Sequence, residues 1–250
     1  MKIIKINYLT WYFLFILFLC GYIKIGLIIF LIVIIHELGH VLGSKLFHYK
    51  VLEVTLYPFG GVTKLEKDIN TPVKKEIAIA SAGIIMQIIL MFVLKFLPQS
   101  DMKDIFEKYN LSIMIFNLLP IIPLDGSLIL KAILNRFFSF QKSYFIYVTL
   151  SILSITIYIA FNFWLALNNY LIVFLFIFKL YKSIKDYKYI YNRFLLERYL
   201  KNYDYRFIST KKGSLNILKL ETYQFFKEDG KIISESTKLQ EKFDNSGYIW

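Results

Sequence analysis

Two histidines four residues apart, His36 and His40, lie in an apolar stretch of the chain, and Glu37 stands beside the first. On a helix this spacing places both imidazoles on one face. Neutral imidazoles so placed can hold one Zn²⁺, and the adjacent glutamate can take a proton from an attacking water. Alternatively, an HExxH pattern can arise by chance, and a histidine on an apolar helix can be an ordinary core residue.

The residues around the motif favour metal binding over a purely structural role. Between Gly26 and Leu42 these three side chains are the only ionisable ones. An acidic side chain at the middle of a bilayer costs about 2.5–3.5 kcal/mol. A carboxylate flanked by two imidazoles at that depth therefore requires a compensating partner, and a metal ion would provide one.

The composition indicates a membrane protein with several spans. Of the 250 residues, 57% are hydrophobic and 19% are charged, whereas about 25% charged residues is usual in soluble domains. The net charge of +12 comes from basic residues beside apolar stretches, which favours membrane orientation and anionic lipid over nucleic acid. Cys20 is the single cysteine, so the chain can form neither an intrachain disulfide nor a cysteine metal cluster.

We predict an all-α polytopic membrane protein with six transmembrane helices, a membrane-dipping hairpin and a small α+β cytoplasmic tail. Lysine and arginine concentrate at the N-terminus, between spans two and three, after span four and in the tail. The positive-inside rule then places both termini in the cytoplasm. The spans, each near the ~20 residues that a bilayer requires, are approximately 6–23, 25–47, 77–97, 105–134, 144–161 and 163–180.

A third metal ligand is predicted in the fourth span, where Asp125 follows two prolines in the sequence NLLPIIPLDG. Its distance from the cytoplasmic end of the span is similar to that of His40. Pro120 and Pro123 disrupt the helix, and irregular backbone at this depth is tolerated where it lines a protein cavity or water. Two histidines and one carboxylate would leave a fourth zinc position open. The alternative is a kinked helix whose aspartate pairs with a lysine.

Taken together, the HELGH and N-x-x-P-x-x-P-L-D-G motifs resemble the site-2 protease family of intramembrane zinc metalloproteases, peptidase family M50. The chain is most similar to the compact sporulation branch, which processes pro-sigma-K. The segment 56–62 resembles the membrane-dipping hairpin of that branch, and 81–83 resembles the start of another family motif. That motif usually continues with Pro and, three positions later, Asn, but this chain has Ile84 and Gln87. The departure concerns local packing and substrate positioning, not the metal ligands.

The resemblance implies one Zn²⁺ per chain, bound by His36, His40 and Asp125, with Glu37 as the general base of peptide hydrolysis. His48 lies off the HELGH face, and we predict that it is solvated and not a ligand.

The resemblance also implies a set of substrate-binding residues: Asn117, Pro123, Phe59, Gly60 and Gly61. The amide of Asn117 could hold an unwound substrate, or it could bond to its own broken helix. The 56–63 strand could receive substrate by edge addition, or it could be an ordinary interfacial loop.

The chain divides into a transmembrane protease domain (1–181), a basic juxtamembrane linker (182–214) and a cytoplasmic region (215–250). The linker could lie along the anionic inner surface or be a solvated helix. In the last region, 222–233 predicts a hairpin with its turn near Asp229 and Gly230, and 234–243 predicts a short helix. This region resembles half of a CBS module and is too short for a full pair.

The predicted function is regulated intramembrane proteolysis of a membrane-associated pro-protein near the cytoplasmic face, with pro-sigma-K implied by the resemblance. Other expected partners are the lipid bilayer, membrane inhibitor proteins and a second copy of the chain, but no nucleic acid. The resemblance implies the mother-cell membrane around the forespore. The alternative is a membrane ion-binding or transport protein that uses the same acids, although the sequence has no internal repeat of the kind transporters often carry.

Overall fold

A computed structural model describes residues 4–57, 60–162, 167–228 and 230–244. Over these residues the chain forms eight α-helices and two three-stranded sheets. The helices are α1 (Tyr8–Leu19), α2 (Ile23–Leu46), α3 (Val73–Leu94), α4 (Asp101–Leu118), α5 (Asp125–Phe137), α6 (Phe140–Asn162), α7 (Leu167–Leu200) and α8 (Glu235–Asp244). The strands are β1 (Ile4–Ile6), β2 (Lys50–Tyr57), β3 (Gly60–Glu66), β4 (Phe207–Lys211), β5 (Thr222–Glu228) and β6 (Lys231–Ser234).

The helices confirm a mostly helical membrane protein. Within the described ranges, three helices are long and apolar enough to cross a membrane: α2, α3 and α6. The first predicted span is the apolar helix α1, which has only 12 residues. The fourth is two helices, α4 and α5, which are separated where the two prolines stand, and the sixth is described from Leu167 onward as part of α7. The number of six spans stays a prediction.

The side chains of α3 divide between a protein-facing stripe and a lipid-facing stripe. Ala80, Ile84 and Gln87 are buried, whereas Ile85 and Phe92 are about half exposed or more, at 49% and 60%. Each set follows the three-to-four-residue spacing of one helix face. A polar glutamine inside and large apolar groups outside is the pattern that a lipid surrounding requires.

The chain forms two compact units, and the first contains the residues up to Lys67, Ile77–Leu119 and Leu124–Gly126. In this unit α2 and α3 pack backbone to backbone. A Cβ atom at Gly39 would overlap the carbonyl of Ala82 and the side chain of Met86. The absence of a side chain at Gly39 thus permits the close helix approach that small residues provide in membranes.

The first unit also contains the sheet β1–β2–β3. Strands β2 and β3 form an antiparallel hairpin in which Tyr57 pairs with Gly60, as expected of the hairpin segment. Phe59 lies outside the described residues. Strand β1 pairs in parallel with β2, from Ile4 opposite Val54, and no sequence pattern predicted this short strand.

The second unit contains Asp68–Glu76, Pro120–Pro123 and the chain from Ser127. Helices α6 and α7 pack through aromatic rings: Phe140 stacks on Phe194 with centroids 4.2 Å apart, and Tyr144 stacks on Tyr187 at 4.4 Å. Helix α7 has 34 residues and continues without a break through the predicted domain boundary at 181/182. The domain boundaries therefore stay predictions.

The second unit also contains the sheet β4–β5–β6 together with α8. Strands β5 and β6 form the predicted hairpin; Asp229 of its turn lies outside the described residues. Helix α8 begins after Ser234, whose hydroxyl accepts the backbone N–H of Thr237 at 3.1 Å, a normal N-terminal cap. The predicted short helix is thus present.

A buried ion pair joins α7 to α8. The guanidinium of Arg198 donates to both carboxylate oxygens of Glu235, at 2.5 and 2.9 Å, and to the carbonyls of Lys219 and Thr222 at 2.8 and 2.7 Å. The two charged side chains are 0% and 1% exposed. Because both charged groups are buried, the pair depends on both partners being present.

The Arg198→Met variant should lose about 3–5 kcal/mol of local stability, because the charge of Glu235 would stay buried without a charged partner. The matched control is Arg193→Met, since Arg193 pairs with Glu197 at 3.0 Å but is 47% exposed; its loss should be below about 1 kcal/mol. Amide hydrogen exchange of β5 and α8 measures the difference. Equal amide protection of β5 and α8 in the two variants would show that the buried pair stabilises this region no more than the exposed pair does.

Candidate active site

The structure brings His36, His40 and Asp125 together inside the first unit. The two Nε2 atoms lie 3.1 Å apart, and Asp125 Oδ2 lies 3.0 Å from the first and 3.2 Å from the second. Both histidines are buried, and the aspartate side chain is 13% exposed. The predicted three-residue set therefore converges on one point below the protein surface.

Hydrogen bonds at the far side of each ring determine which nitrogen faces that point. Nδ1 of His40 lies 2.9 Å from the carbonyl oxygen of Ile79, which can only accept a hydrogen bond. Nδ1 of His36 lies 3.1 Å from Oε1 of Gln87. Each Nδ1 therefore carries the proton in the neutral ring, and each Nε2 presents a lone pair.

This arrangement fits a tetrahedral divalent cation. With bonds of 2.0–2.1 Å, neighbouring zinc ligands lie about 3.3 Å apart, close to the three observed separations. Among the described residues, no hydrogen-bond donor reaches Asp125 Oδ2. Two imidazole lone pairs and a carboxylate oxygen that converge without a proton repel one another, and a metal ion bound by all three would relieve that repulsion.

The predicted third ligand, Asp125, is placed by the interruption between α4 and α5. Helix α4 ends at Leu118 and α5 begins at Asp125, so the carboxylate stands in the first turn of a helix. A Cβ atom at Gly126 would overlap the carbonyl of Leu118. The glycine thus allows the start of α5 to approach the end of α4, and the ligand is held by ordered backbone on both sides.

Helix α3 forms the wall behind the imidazoles. A Cβ atom at Gly83 would overlap the rings of His36 and His40, so only a glycine fits there. Gln87, one turn further on, is fully buried, and its backbone carbonyl accepts the side-chain amide of Asn110 on α4 at 2.9 Å. Sequence reasoning noted Gln87 only as a departure from the family motif; its position one turn after Gly83 was the available signal.

Glu37 lies beside the three predicted ligands, on a different face of α2 from His36 and His40. Its carboxylate and the ring nitrogens of His36 and His40 all lie within 4.8 Å of one another. The side chain is buried, and Oε2 accepts a hydrogen bond from the hydroxyl of Thr63 at 2.7 Å. A buried carboxylate at this distance from the cation position is suited to proton transfer rather than to ligation alone.

The remaining predicted residues are placed as follows. Asn117 is half-buried in the last turn of α4, and among the described residues its side chain makes no hydrogen bond. The hydrogen bond from the Asn117 side chain to its own interrupted helix, one of the two alternatives, is therefore not formed among these residues. Pro123 is exposed and Gly60 is half-buried, whereas Gly61 packs against Glu37. His48 is exposed where α2 ends. The substrate-binding roles stay predictions.

Two histidines, an aspartate and a neighbouring glutamate within apolar helices define the class of metal-dependent peptidases that work inside membranes. The family model of peptidase family M50 matches residues 24–108. A solved structure, the site-2 protease from Methanocaldococcus jannaschii, superimposes with a TM-score of 0.55 at 27% identity and covers 72% of this chain and 89% of that chain.

Stage IV sporulation protein FB of Bacillus subtilis is 34% identical over 189 residues, which cover 72% of this chain and 66% of that protein. A zinc metalloprotease of Methanocaldococcus jannaschii is 33% identical over 125 residues, which cover 47% of this chain and 36% of that protein. The chain belongs to the site-2 protease family, peptidase family M50. The resemblance inferred from the two motifs is thus confirmed.

The contact between Gln87 and His36 predicts an effect on metal affinity. In the Gln87→Leu variant His36 loses the acceptor for its Nδ1 proton, and zinc affinity should fall about 10- to 100-fold. Gln87→Glu keeps an acceptor oxygen and should retain zinc. Zinc content during titration with a chelator, measured by mass spectrometry, tests both variants. A Leu variant that holds zinc as tightly as the wild type would refute the role of Gln87.

Proposed function

We propose that this chain is an intramembrane zinc metalloendopeptidase that cleaves a membrane-associated pro-protein near the cytoplasmic face. The observation that carries the proposal is the convergence of His36, His40 and Asp125 beside Glu37, within a unit that contains the apolar helices α2 and α3. Membership of a family whose relatives are named zinc metalloproteases supports the same chemistry.

His36, His40 and Asp125 would hold the zinc ion, one per chain. When bound, zinc polarises the scissile carbonyl and makes water a stronger acid. The buried carboxylate of Glu37 accepts the proton of the attacking water and transfers it to the leaving amine. The new C–O bond forms first, the C–N bond of the peptide breaks once its nitrogen has received that proton, and the products are a carboxylate and an amine.

A helical substrate must be locally unwound before its carbonyl can be attacked, because helical carbonyls are already hydrogen-bonded. Strand β3 is an edge of its sheet, so its outer side offers backbone groups to an added substrate strand. Gly60 and Gly61 on this strand, with Phe59 before them, would contact that strand, and Asn117 and Pro123 would shape the site from the interrupted helices. Among the described residues, the side-chain amide of Asn117 makes no hydrogen bond that would compete with this role.

Similarity to Stage IV sporulation protein FB supports a pro-sigma factor as the substrate, with pro-sigma-K as the first candidate. The setting would be the mother-cell membrane around the forespore, with both termini in the cytoplasm and six spans. Membrane inhibitor proteins and a second copy of the chain are proposed partners. The 215–250 region, which contains β5, β6 and α8, would act as a CBS-like docking or regulatory element.

Co-expression with pro-sigma-K tests the activity. The wild type should convert the pro-protein to a shorter product, whereas Glu37→Gln should slow the conversion at least about 100-fold, the usual effect of losing a general base. Glu37→Gln should still contain zinc, because the amide keeps the size of the side chain and the three ligands remain. Unchanged cleavage by Glu37→Gln would contradict the proposed peptidase function.

The metal content of the purified protein tests the ligand set separately from activity. The wild type should retain about one zinc per chain through dialysis, and Asp125→Asn should lose most of it, since an amide is a weaker ligand than a carboxylate. Asn117→Asp is a suitable control. It also exchanges an amide and a carboxylate in the same segment of the chain, and so changes the charge by one, but it removes none of the three ligands. Zinc that exchanges freely in the wild type would favour ion transport over hydrolysis.

A further inference from the structure

The alternation of β3 places two of its residues against the catalytic glutamate. Gly61, Thr63 and Leu65 are half-buried, whereas Val62 and Lys64 are exposed. Because side chains of a strand alternate between its faces, the first three share one face. That face is directed at α2, the helix that carries Glu37.

Two of these inward residues, Gly61 and Thr63, contact the carboxyl group of Glu37. The hydroxyl of Thr63 donates to Oε2 at 2.7 Å, and Gly61 lies so close that a Cβ atom there would overlap the carboxyl group. Glu37 is only 5% exposed. In the part of the chain that the structure describes, Thr63 is the one side chain that donates a hydrogen bond to this carboxylate.

The position of the Thr63 hydroxyl is determined by the sheet and not by a loop. Thr63 pairs with Val54, and the preceding residue, Val62, pairs with Thr55. The antiparallel register then continues without interruption to Gly60, which lies opposite Tyr57. Val54 is itself buried, at 3% exposure, and packs with Val33 of α2. The donor is therefore held relative to α2 by backbone hydrogen bonds and by core packing.

We propose that Thr63 is a positioning residue for the catalytic base, an inference that rests on the proposed peptidase function. A glutamate side chain has several rotatable bonds and can turn away from the reacting water. The hydrogen bond from Thr63 holds Oε2, and the backbone of Gly61 packs against the carboxyl carbon and Oε1. Both contacts restrict rotation of the carboxyl group, so the hairpin contributes to the chemical step and not only to substrate binding.

The experiment compares Thr63→Val, which keeps the size but lacks the hydroxyl, with Thr63→Ser, which keeps the hydroxyl. The matched control is Thr55→Val on β2, where the hydroxyl donates to Glu53 at 2.5 Å and not to Glu37. Cleavage of purified pro-sigma-K by the zinc-loaded enzymes in lipid vesicles gives kcat and KM for each variant, and mass spectrometry gives their zinc content.

Thr63→Val should lower kcat about 10- to 100-fold, the range expected for a hydrogen bond to a charged group, with KM and zinc content close to the wild type. Thr63→Ser should restore most of kcat, and Thr55→Val should resemble the wild type. An unchanged kcat in Thr63→Val would overturn the inference, as would a rise in KM alone, loss of zinc, or equal losses in the Ser and Val variants.

A second measurement does not depend on catalysis or on the choice of substrate. Thermal unfolding of Thr63→Val, Glu37→Ala and the double variant forms a double-mutant cycle. Direct contact predicts that the two single losses in melting temperature sum to more than the loss in the double variant; strict additivity would refute it. If Glu37→Gln cleaves normally, the peptidase proposal fails. If Glu37→Gln is inactive while Thr63→Val is normal, only the role of Thr63 fails.

Discussion

The structure depends on the convergence of three electron-pair donors in an apolar interior. Nε2 of His36, Nε2 of His40 and Oδ2 of Asp125 lie 3.0–3.2 Å from one another. In water such groups would separate and become hydrated, but burial removes that option and makes an unpaired charge costly. The surrounding chain must therefore supply both the rigidity that holds the donors together and a cavity suited to a cation.

That rigidity comes from elements whose backbones approach closely. Gly39 lets α2 contact α3, Gly83 leaves room for the two rings, and Gly126 lets α5 begin beside the end of α4. Ile79 and Gln87 on α3 accept the Nδ1 protons of the histidines, so one helix fixes both ring orientations. Ligands on well-packed helices with hydrogen-bonded rings are already arranged before the metal binds, which lowers the cost of binding.

The sequence predicted the parts of this site that depend on local spacing. His36 and His40 share a helix face because they are four residues apart, and the prolines before Asp125 interrupt the helix as expected. The sequence did not reveal that Gln87 contacts a residue 51 positions earlier, or that Thr63 contacts one 26 positions earlier. Such contacts depend on how separate elements dock, and one helix or strand pattern does not encode the docking.

The same limit applies to the membrane helices and the sheets. The length of the apolar stretches predicted α2, α3 and α6 as spans, because length and apolarity are properties of a single segment. Strand β1 is three exposed residues whose pairing with β2, some 50 residues away, gives no local pattern. The predicted domain boundary at 181/182 follows the change from apolar to basic composition, and α7 spans this position as one helix that ends at Leu200.

The hairpin links the two requirements of intramembrane hydrolysis, which are an unwound substrate and an aligned base. The inner face of β3 holds Glu37 through Thr63, and its outer edge has no neighbouring strand among the described residues. A substrate strand that added to this edge would pair with the same backbone that positions the Thr63 hydroxyl. Edge pairing restricts the motion of the strand to which it adds, so substrate binding would stabilise the base in its working position. In the proposed arrangement the base would be held most firmly with an extended peptide bound, which would suit an enzyme that must act on unwound segments and leave helical ones intact.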